Sequence, residues 1–182
     1  TIKKGTNFKT LDIAYIALGA ALTTVCSWIS IPTTVPFTLQ TFAVFAILSL
    51  LGGRRGTLSI LVYILLGAVG APVFAGFSGG LGVILGSTGG YIVGFLLTGI
   101  IYWVITTMIN NKLITEIIAL LIGLIACYAL GTVWFMVVYS RDAGAINALT
   151  ALGWCVFPFI VPDLIKLALG LLISRRVRPV IK

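Results

Sequence analysis

Residues 154–173 read WCVFPFIVPDLIKLALGLLI, an apolar run that contains two ionisable side chains, Asp163 and Lys166. The run is long enough to cross the hydrocarbon core of a bilayer as a helix. A charge at that depth costs at least ~2.5 kcal/mol, so such residues usually pair with each other or face a polar cavity. Because residues three apart share one face of a helix, Asp163 and Lys166 are predicted to form a pair.

Two prolines, Pro158 and Pro162, interrupt this run. Proline lacks a backbone N–H and disfavours helical geometry in the residue before it, so we expect the helix to kink or restart between them, with Asp163 and Lys166 in its first new turns. Discontinuous helices of this kind often frame the binding sites of transporters. The alternative is that the pair only stabilises helix packing, although burying an ion pair is a poor way to gain stability.

The composition indicates an integral membrane protein. The 182-residue chain is 60% hydrophobic and 9% charged, whereas soluble domains carry roughly 25% charged residues. Six apolar runs are joined by short connectors, and the first lacks a clear signal-peptide cleavage site. We therefore predict an all-α integral membrane fold in a single domain over 1–182, a bundle of six transmembrane helices with a short discontinuous outer segment. The predicted spans are 13–31, 38–51, 57–69, 91–109, 114–139 and 145–174.

The net charge of +8 follows the positive-inside pattern rather than that of a nucleic-acid-binding surface. Ten of the twelve Lys and Arg residues lie at alternate ends of the apolar runs. They are Lys3, Lys4, Lys9, Arg54, Arg55, Lys112, Arg175, Arg176, Arg178 and Lys182. This distribution predicts that both termini lie inside.

That orientation puts the connectors 30–40, 70–90 and 139–147 on the outer side. Residues 76–82 read GFSGGLG. Irregular backbone at membrane depth is tolerated where it is buried in protein or lines a cavity, so a stretch that dips inward would indicate a pocket. The alternative is a surface loop whose glycines serve its turns.

The absence of nucleotide-binding, metal-binding and catalytic motifs narrows the range of possible functions. The chain has no G-x-x-x-x-G-K-[ST] sequence and no histidine, and Cys26, Cys127 and Cys155 lie singly. We therefore expect no nucleotide site, no metal site and no catalytic set, which leaves binding or transport. Uphill transport would then draw on an ion gradient or on another subunit. The spacing of Ala17 and Ala21 suits close helix approach, either by a partner or within the bundle.

Several motifs occur in an order that resembles the BioY family, the biotin-specific S components of energy-coupling factor (ECF) transporters. They are VPFTLQTF at 35–42, LGGRRG at 51–56, PVFAGFSGGLG at 72–82, GSTGGY at 86–91 and PDLIK at 162–166. The resemblance covers nearly the whole chain and is weakest in 110–151. It implies a multi-pass protein of a prokaryotic plasma membrane that binds biotin near its outer face and is not an enzyme.

The same resemblance implies partners but no cofactor. S components work with a transmembrane coupling subunit, EcfT, and a pair of cytoplasmic ATPases, and they are proposed to topple within the bilayer. Ala17 and Ala21 match the surface that docks on the coupling subunit. No nucleic-acid partner is expected.

The resemblance and the chemistry of biotin together predict which residues form the binding site. Asp163 would accept from the ureido N–H groups, and Lys166 would donate to a ligand oxygen. Tyr91 and Ser78 are candidates for the other polar end, and residues 31–40 are a plausible lid. Backbone amides at Gly79 and Gly80, and an apolar wall of Phe37, Phe74 and Trp154, complete the prediction.

Three alternatives remain open at this point. The chain could be an S component for another vitamin, or a proton-coupled secondary carrier that titrates Asp163. It could also be a membrane scaffold whose ion pair is structural. The sequence leaves open which end of biotin Asp163 and Lys166 contact.

Overall fold

The computed structural model describes residues 10–109 and 112–181, which form a bundle of long helices. The helices are α1 (Thr10–Trp28), α2 (Gln40–Ala68), α3 (Leu81–Leu85), α4 (Gly89–Met108), α5 (Leu113–Ala143), α6 (Ala148–Cys155) and α7 (Phe157–Ile181). Two short strands, β1 (Ser30–Ile31) and β2 (Phe37–Thr38), pair antiparallel between α1 and α2. Five stretches of the described residues are long and apolar enough to cross a membrane: α1, α2, α4, α5 and residues 148–180. The predicted all-α fold is confirmed.

The helix α2 is a hairpin of two helical segments. Gly52 has φ 81° and ψ 167°, a conformation that only glycine adopts readily. Gln40 Nε2 donates to the Tyr63 hydroxyl at 2.7 Å, whereas residues 23 apart on a continuous helix would be separated by about 34 Å. Residues 40–51 and 53–68 therefore run antiparallel, in agreement with the separate spans predicted for them.

The break in the last span lies earlier than predicted. α6 ends at Cys155, and α7 begins at Phe157 and continues through Pro162. Pro158 occupies the first turn of α7, where the missing N–H of proline costs nothing because that group has no partner within the helix. The expectation that the helix restarts between the prolines is therefore wrong. Asp163 and Lys166 lie in the second and third turns of α7, in agreement with their predicted place in the first turns of the restarted helix.

Contacts between helix ends show which connectors share an end of the bundle. Arg55 pairs with Asp12 at 2.5 Å, which joins the turn of α2 to the start of α1. Arg178 pairs with Glu116 at 2.9 Å, which joins the end of α7 to the start of α5. Ser49, close to the turn of α2, bonds to both Glu116 and Arg178, so the described residues of the predicted inner clusters lie at one end of the bundle. Lys3, Lys4, Lys9 and Lys182 lie outside the described residues.

The opposite end is formed by the connectors 29–39 and 69–88. Trp28 Nε1 donates to the Pro72 carbonyl at 2.8 Å, and Ser27 Oγ donates to the Val73 carbonyl at 2.5 Å. These bonds fix the end of α1 against the glycine-rich connector. The structure therefore gathers the predicted outer connectors 30–40 and 70–90 at the same end.

Small residues let α4 and α5 approach closely. A Cβ at Gly131 would lie 2.3 Å from the ring of Tyr91, and one at Gly94 would lie 2.6 Å from the sulfur of Cys127. Both contacts require glycine, because real Cβ atoms do not approach other heavy atoms so closely. They place Tyr91 firmly between the two helices.

Candidate functional site

A cavity of about 200 Å³ lies within the bundle, beneath the connectors of the outer end. Residues of α2, α4, α5, α6 and α7 line it together with residues of both connectors. The apolar lining consists of Val35, Pro36, Phe74, Ala75, Val83, Ile92, Phe95, Leu124 and Phe159. The polar and sulfur-containing lining consists of Thr38, Gln40, Thr41, Ser78, Thr88, Tyr91, Cys127, Tyr128, Cys155, Asp163 and Lys166.

Asp163 and Lys166 form a buried ion pair at this cavity. Lys166 Nζ lies 2.8 Å from Asp163 Oδ1, and the two residues are 6% and 1% exposed. The pair forms because residues three apart on α7 share one face of the helix. Burial in the bundle makes each charge depend on its hydrogen-bond partners, since an unpaired buried charge is very costly.

All three N–H donors of the Lys166 ammonium group form hydrogen bonds within the protein. It donates to Asp163 Oδ1 and to the main-chain carbonyl of Thr38 at 2.8 Å each, and to Thr41 Oγ1 at 3.1 Å. Its nitrogen also lies 4.2 Å from the centre of the Phe37 ring, a cation–π contact. A ligand oxygen can therefore receive an N–H of Lys166 only by replacing one of these acceptors.

The carboxylate of Asp163 keeps capacity to accept. Oδ1 accepts from Lys166 and from the Thr41 hydroxyl, the latter at 2.8 Å. Oδ2 accepts from the Tyr128 hydroxyl at 2.6 Å. A carboxylate oxygen can accept two hydrogen bonds, so Oδ2 has room for one more donor. We refer to Thr38, Thr41, Tyr128, Asp163 and Lys166 as the Asp163 cluster.

Three separate parts of the chain build the Asp163 cluster. Thr38 ends β2 and Thr41 lies in the first turn of α2, so the start of the hairpin supplies both. Tyr128 comes from the middle of α5, and the ion pair comes from α7. The cluster thus ties the outer part of α2 to α5 and α7.

Other polar groups around the cavity are bonded within the protein. The hydroxyls of Tyr91 and Thr132 lie 3.0 Å apart, which joins α4 to α5. Ser78 Oγ donates to the Ala75 carbonyl at 2.8 Å and stabilises the turn of the outer connector. Each oxygen can still accept from a ligand.

Five of the nine residues predicted to bind substrate lie together at this cavity. They are Asp163, Lys166, Tyr91, Ser78 and Phe74. The side chain of Phe74 is buried and packs edge-on against Tyr63, with ring centres 5.4 Å apart. The cavity therefore brings together the four predicted polar side chains and one of the three residues of the predicted apolar wall.

The other four predicted residues do not line the cavity. Phe37 lies behind Lys166 and stacks on Phe159, with ring centres 5.7 Å apart. Gly79 packs against the main chain, since a Cβ there would lie 2.2 Å from the Ala71 carbonyl oxygen. Gly80 caps α3 with φ 97°. Trp154 is 42% exposed and contacts Tyr139 edge-on at 5.9 Å.

Sequence reasoning missed two members of the Asp163 cluster that bond directly to the carboxylate. Thr41 lies within the motif at 35–42, but a threonine in an apolar helix gave no signal of its own. Tyr128 lies in the part of the chain where the resemblance is weakest. Cys127 and Cys155, which lie singly in the sequence, also line the cavity.

The predicted docking residues lie on the outer surface of α1. Ala17 and Ala21 are exposed, and so are Leu18 and Leu22 beside them. On the opposite face of α1, Gly19 packs so closely on α2 that a Cβ would lie 2.4 Å from Ser59 Oγ. The face with Ala17 and Ala21 is therefore available to another helix.

Comparison with known proteins places the chain in a family. The model of the BioY family matches residues 3–182. This chain belongs to the BioY family. The probable biotin transporter BioY of Pyrococcus horikoshii is 41% identical over 171 residues, which cover 93% of this chain and 98% of the relative. The biotin transporter BioY of Thermotoga maritima is 41% identical over 159 residues, which cover 87% of this chain and 90% of the relative.

A solved structure agrees with this BioY membership. The crystal structure of the S-component for biotin from an ECF-type ABC transporter matches the fold with a TM-score of 0.83 at 28% sequence identity. The match covers 97% of this chain and 95% of the solved one. The resemblance seen in the sequence motifs is confirmed.

Proposed function

We propose that this BioY-family chain is a multi-pass protein of the plasma membrane and the biotin-binding S component of an ECF-type importer. The observation that carries the proposal is the Asp163 cluster, which presents an ionised pair to an otherwise largely apolar cavity. Fixed polar groups within an apolar pocket are the usual design of small-molecule sites. The chain is a transporter component and not itself an enzyme.

The chemistry of the cavity suits the ureido ring of biotin. A cyclic urea presents an N–H donor and a carbonyl acceptor side by side. Asp163 Oδ2 can accept the N–H, and Lys166 can donate to the carbonyl by exchanging one of its present acceptors. The apolar lining, which includes Phe95 and Leu124, would surround the thioether ring.

The carboxylate of biotin fits the other end of the cavity better. Near Asp163 it would lie beside another carboxylate, and electrostatic repulsion between the two negative charges would disfavour binding. Ser78 and Thr88 line the cavity on the connector between α2 and α4. We infer that the ureido ring lies at the Asp163 cluster and that the carboxylate points toward this connector.

Import requires partners in this proposal, which are the transmembrane coupling subunit EcfT and a pair of cytoplasmic ATPases. The exposed small face at Ala17 and Ala21 would dock on EcfT, because small residues allow helices to approach closely. Arg54, Arg55 and Arg178 belong to one end of the bundle. By the positive-inside rule this end faces the cytoplasm, so the cavity opens toward the outside.

Calorimetric titration of the purified chain with biotin tests the proposal. We expect tight binding by the parent and a loss of at least about 100-fold in both Asp163→Asn and Lys166→Ala, since the first removes the charged acceptor of a ureido N–H and the second removes the donor to the carbonyl. Arg141→Gln is the matched control, because it removes an exposed charge away from the cavity.

Four outcomes would contradict this function. Unchanged affinity in both folded variants would refute the assignment of the site. Absence of biotin binding by the parent would refute biotin as the ligand. Tight binding of a different vitamin would identify an S component of other specificity. In reconstituted vesicles, uptake that requires only a proton gradient and no ATPases would instead indicate a secondary carrier.

A further inference from the structure

Tyr128 is the one residue of α5 in the Asp163 cluster, and neither the motifs nor the ion pair pointed to it. Its hydroxyl donates to Asp163 Oδ2 at 2.6 Å, and its side chain lines the cavity. A distance this short is typical of a charge-assisted O–H···O⁻ bond, which is roughly twice as strong as a neutral one. We propose that Tyr128 is a positioning residue that determines the selectivity of the site for a ligand N–H.

The carboxylate of Asp163 is held through both of its oxygens. Lys166 and Thr41 both donate to Oδ1, and Tyr128 donates to Oδ2. Donors on both oxygens prevent the carboxylate from rotating about its Cβ–Cγ bond. They also occupy every accepting position except one, which is on Oδ2.

The polar protons of this cluster are all bonded within the protein before a ligand binds. A phenol and a hydroxyl carry one proton each, and both protons are spent on Asp163. The three N–H donors of Lys166 are also spent. Until Lys166 exchanges one of its acceptors, the side of the cluster that faces the cavity therefore offers acceptors, with the charged Asp163 Oδ2 as the strongest.

Tyr128 consequently decides where that strongest acceptor points. Without its hydroxyl, the Asp163 carboxylate would be held through Oδ1 alone and could turn Oδ2 away from the ligand. The site would still attract biotin, but it would distinguish less well between a ureido N–H and a blocked nitrogen. A residue that only supported packing would not affect this distinction, because phenylalanine preserves the ring.

The inference rests on the proposed function, since it names a determinant of biotin recognition. The test is a comparison of the parent and Tyr128→Phe with three ligands, biotin and the two biotins singly methylated on a ureido nitrogen. The measured quantity is the ratio of the dissociation constant of each methylated ligand to that of biotin. The steric effect of the methyl group is common to both proteins, so it largely cancels when their ratios are compared.

We expect Tyr128→Phe to weaken biotin binding about tenfold, of the order of one hydrogen bond to a charged group. We also expect the ratio for one methylated ligand to fall about tenfold, because that ligand lacks the N–H that Asp163 accepts. Tyr139→Phe is the control, since Tyr139 stacks on Phe135 and does not line the cavity. It should leave both ratios unchanged.

Equal weakening of all three ligands by Tyr128→Phe would overturn the inference, because it would indicate a structural role only. Unchanged biotin affinity in this variant would overturn it as well. Thermal unfolding of the parent and the variant shows whether the fold is preserved. If the parent itself fails to bind biotin, the proposed function fails, which is a different result from either of these.

Discussion

The ion pair of Asp163 and Lys166 can be removed in two ways with opposite consequences for stability. In Lys166→Met the carboxylate keeps the hydroxyls of Thr41 and Tyr128 but loses its counter-ion at 2.8 Å. Breaking a buried pair in this way typically costs about 3–5 kcal/mol, because the remaining charge stays buried. We expect a loss of this size in the free energy of unfolding of Lys166→Met.

The double variant Asp163→Leu/Lys166→Met removes both charges at once. Replacement of a buried ion pair by apolar residues of similar volume is often neutral or stabilising. The hydroxyls of Thr41 and Tyr128 would lose an acceptor, which lowers the stability of the double variant by about 1–2 kcal/mol. The double variant should therefore be more stable than Lys166→Met, although it should not bind biotin.

Reversible unfolding in mixed micelles measures stability, and calorimetric titration measures binding. The combination separates a functional pair from a structural one. Recovery of stability without recovery of binding is the expected pattern. If the double variant is at least as unstable as Lys166→Met, the reasoning about buried charge is refuted. If it binds biotin as the parent does, the site assignment is refuted.

Two further predictions concern helix surfaces. Ala17→Phe and Ala21→Phe should leave biotin binding intact and lower ATP-dependent uptake by the assembled complex at least about tenfold, because a bulky side chain prevents close helix approach. Ala129→Phe on the exposed surface of α5 is the control, and equal uptake in all three would exclude the docking role. Gly131→Ala should destabilise the fold by about 1–3 kcal/mol and weaken biotin binding, because its Cβ would lie 2.3 Å from the Tyr91 ring. Gly153→Ala, which meets nothing within 4 Å, should be neutral or stabilising in the same unfolding measurement, and equal effects would contradict this packing argument.

Much of the bundle could be predicted because its signals are local. Apolar runs, a glycine pair at Gly52 and Gly53, and basic clusters at alternate ends are properties of short segments. They predict helices, a reversal of the chain and a common end for the charges. The break in the last helix could not be placed in the same way, because Pro158 lies in the first turn of α7, where proline is tolerated, and α7 continues through Pro162.

The candidate site could be predicted only in part. Asp163 and Lys166 were evident because a charge within an apolar run is costly wherever the helix packs. Trp154 and Tyr128 could not be told apart by composition, since both are aromatic residues with a polar group. Their roles differ because Trp154 packs on Tyr139 at the surface, whereas Tyr128 reaches Asp163 inside the bundle.

The membrane class, the helical runs, the pairing of Asp163 with Lys166 and the family were all evident from the amino-acid sequence. Each depends on composition, on spacing along one helix or on ordered motifs. The groups that surround the pair became evident only from the packing of the helices. Tyr128 lies 35 residues from Asp163 along the chain, and Thr38 lies 128 residues from Lys166. Contacts at such separations depend on how the helices pack, and the pattern of residues within any one helix does not contain that information.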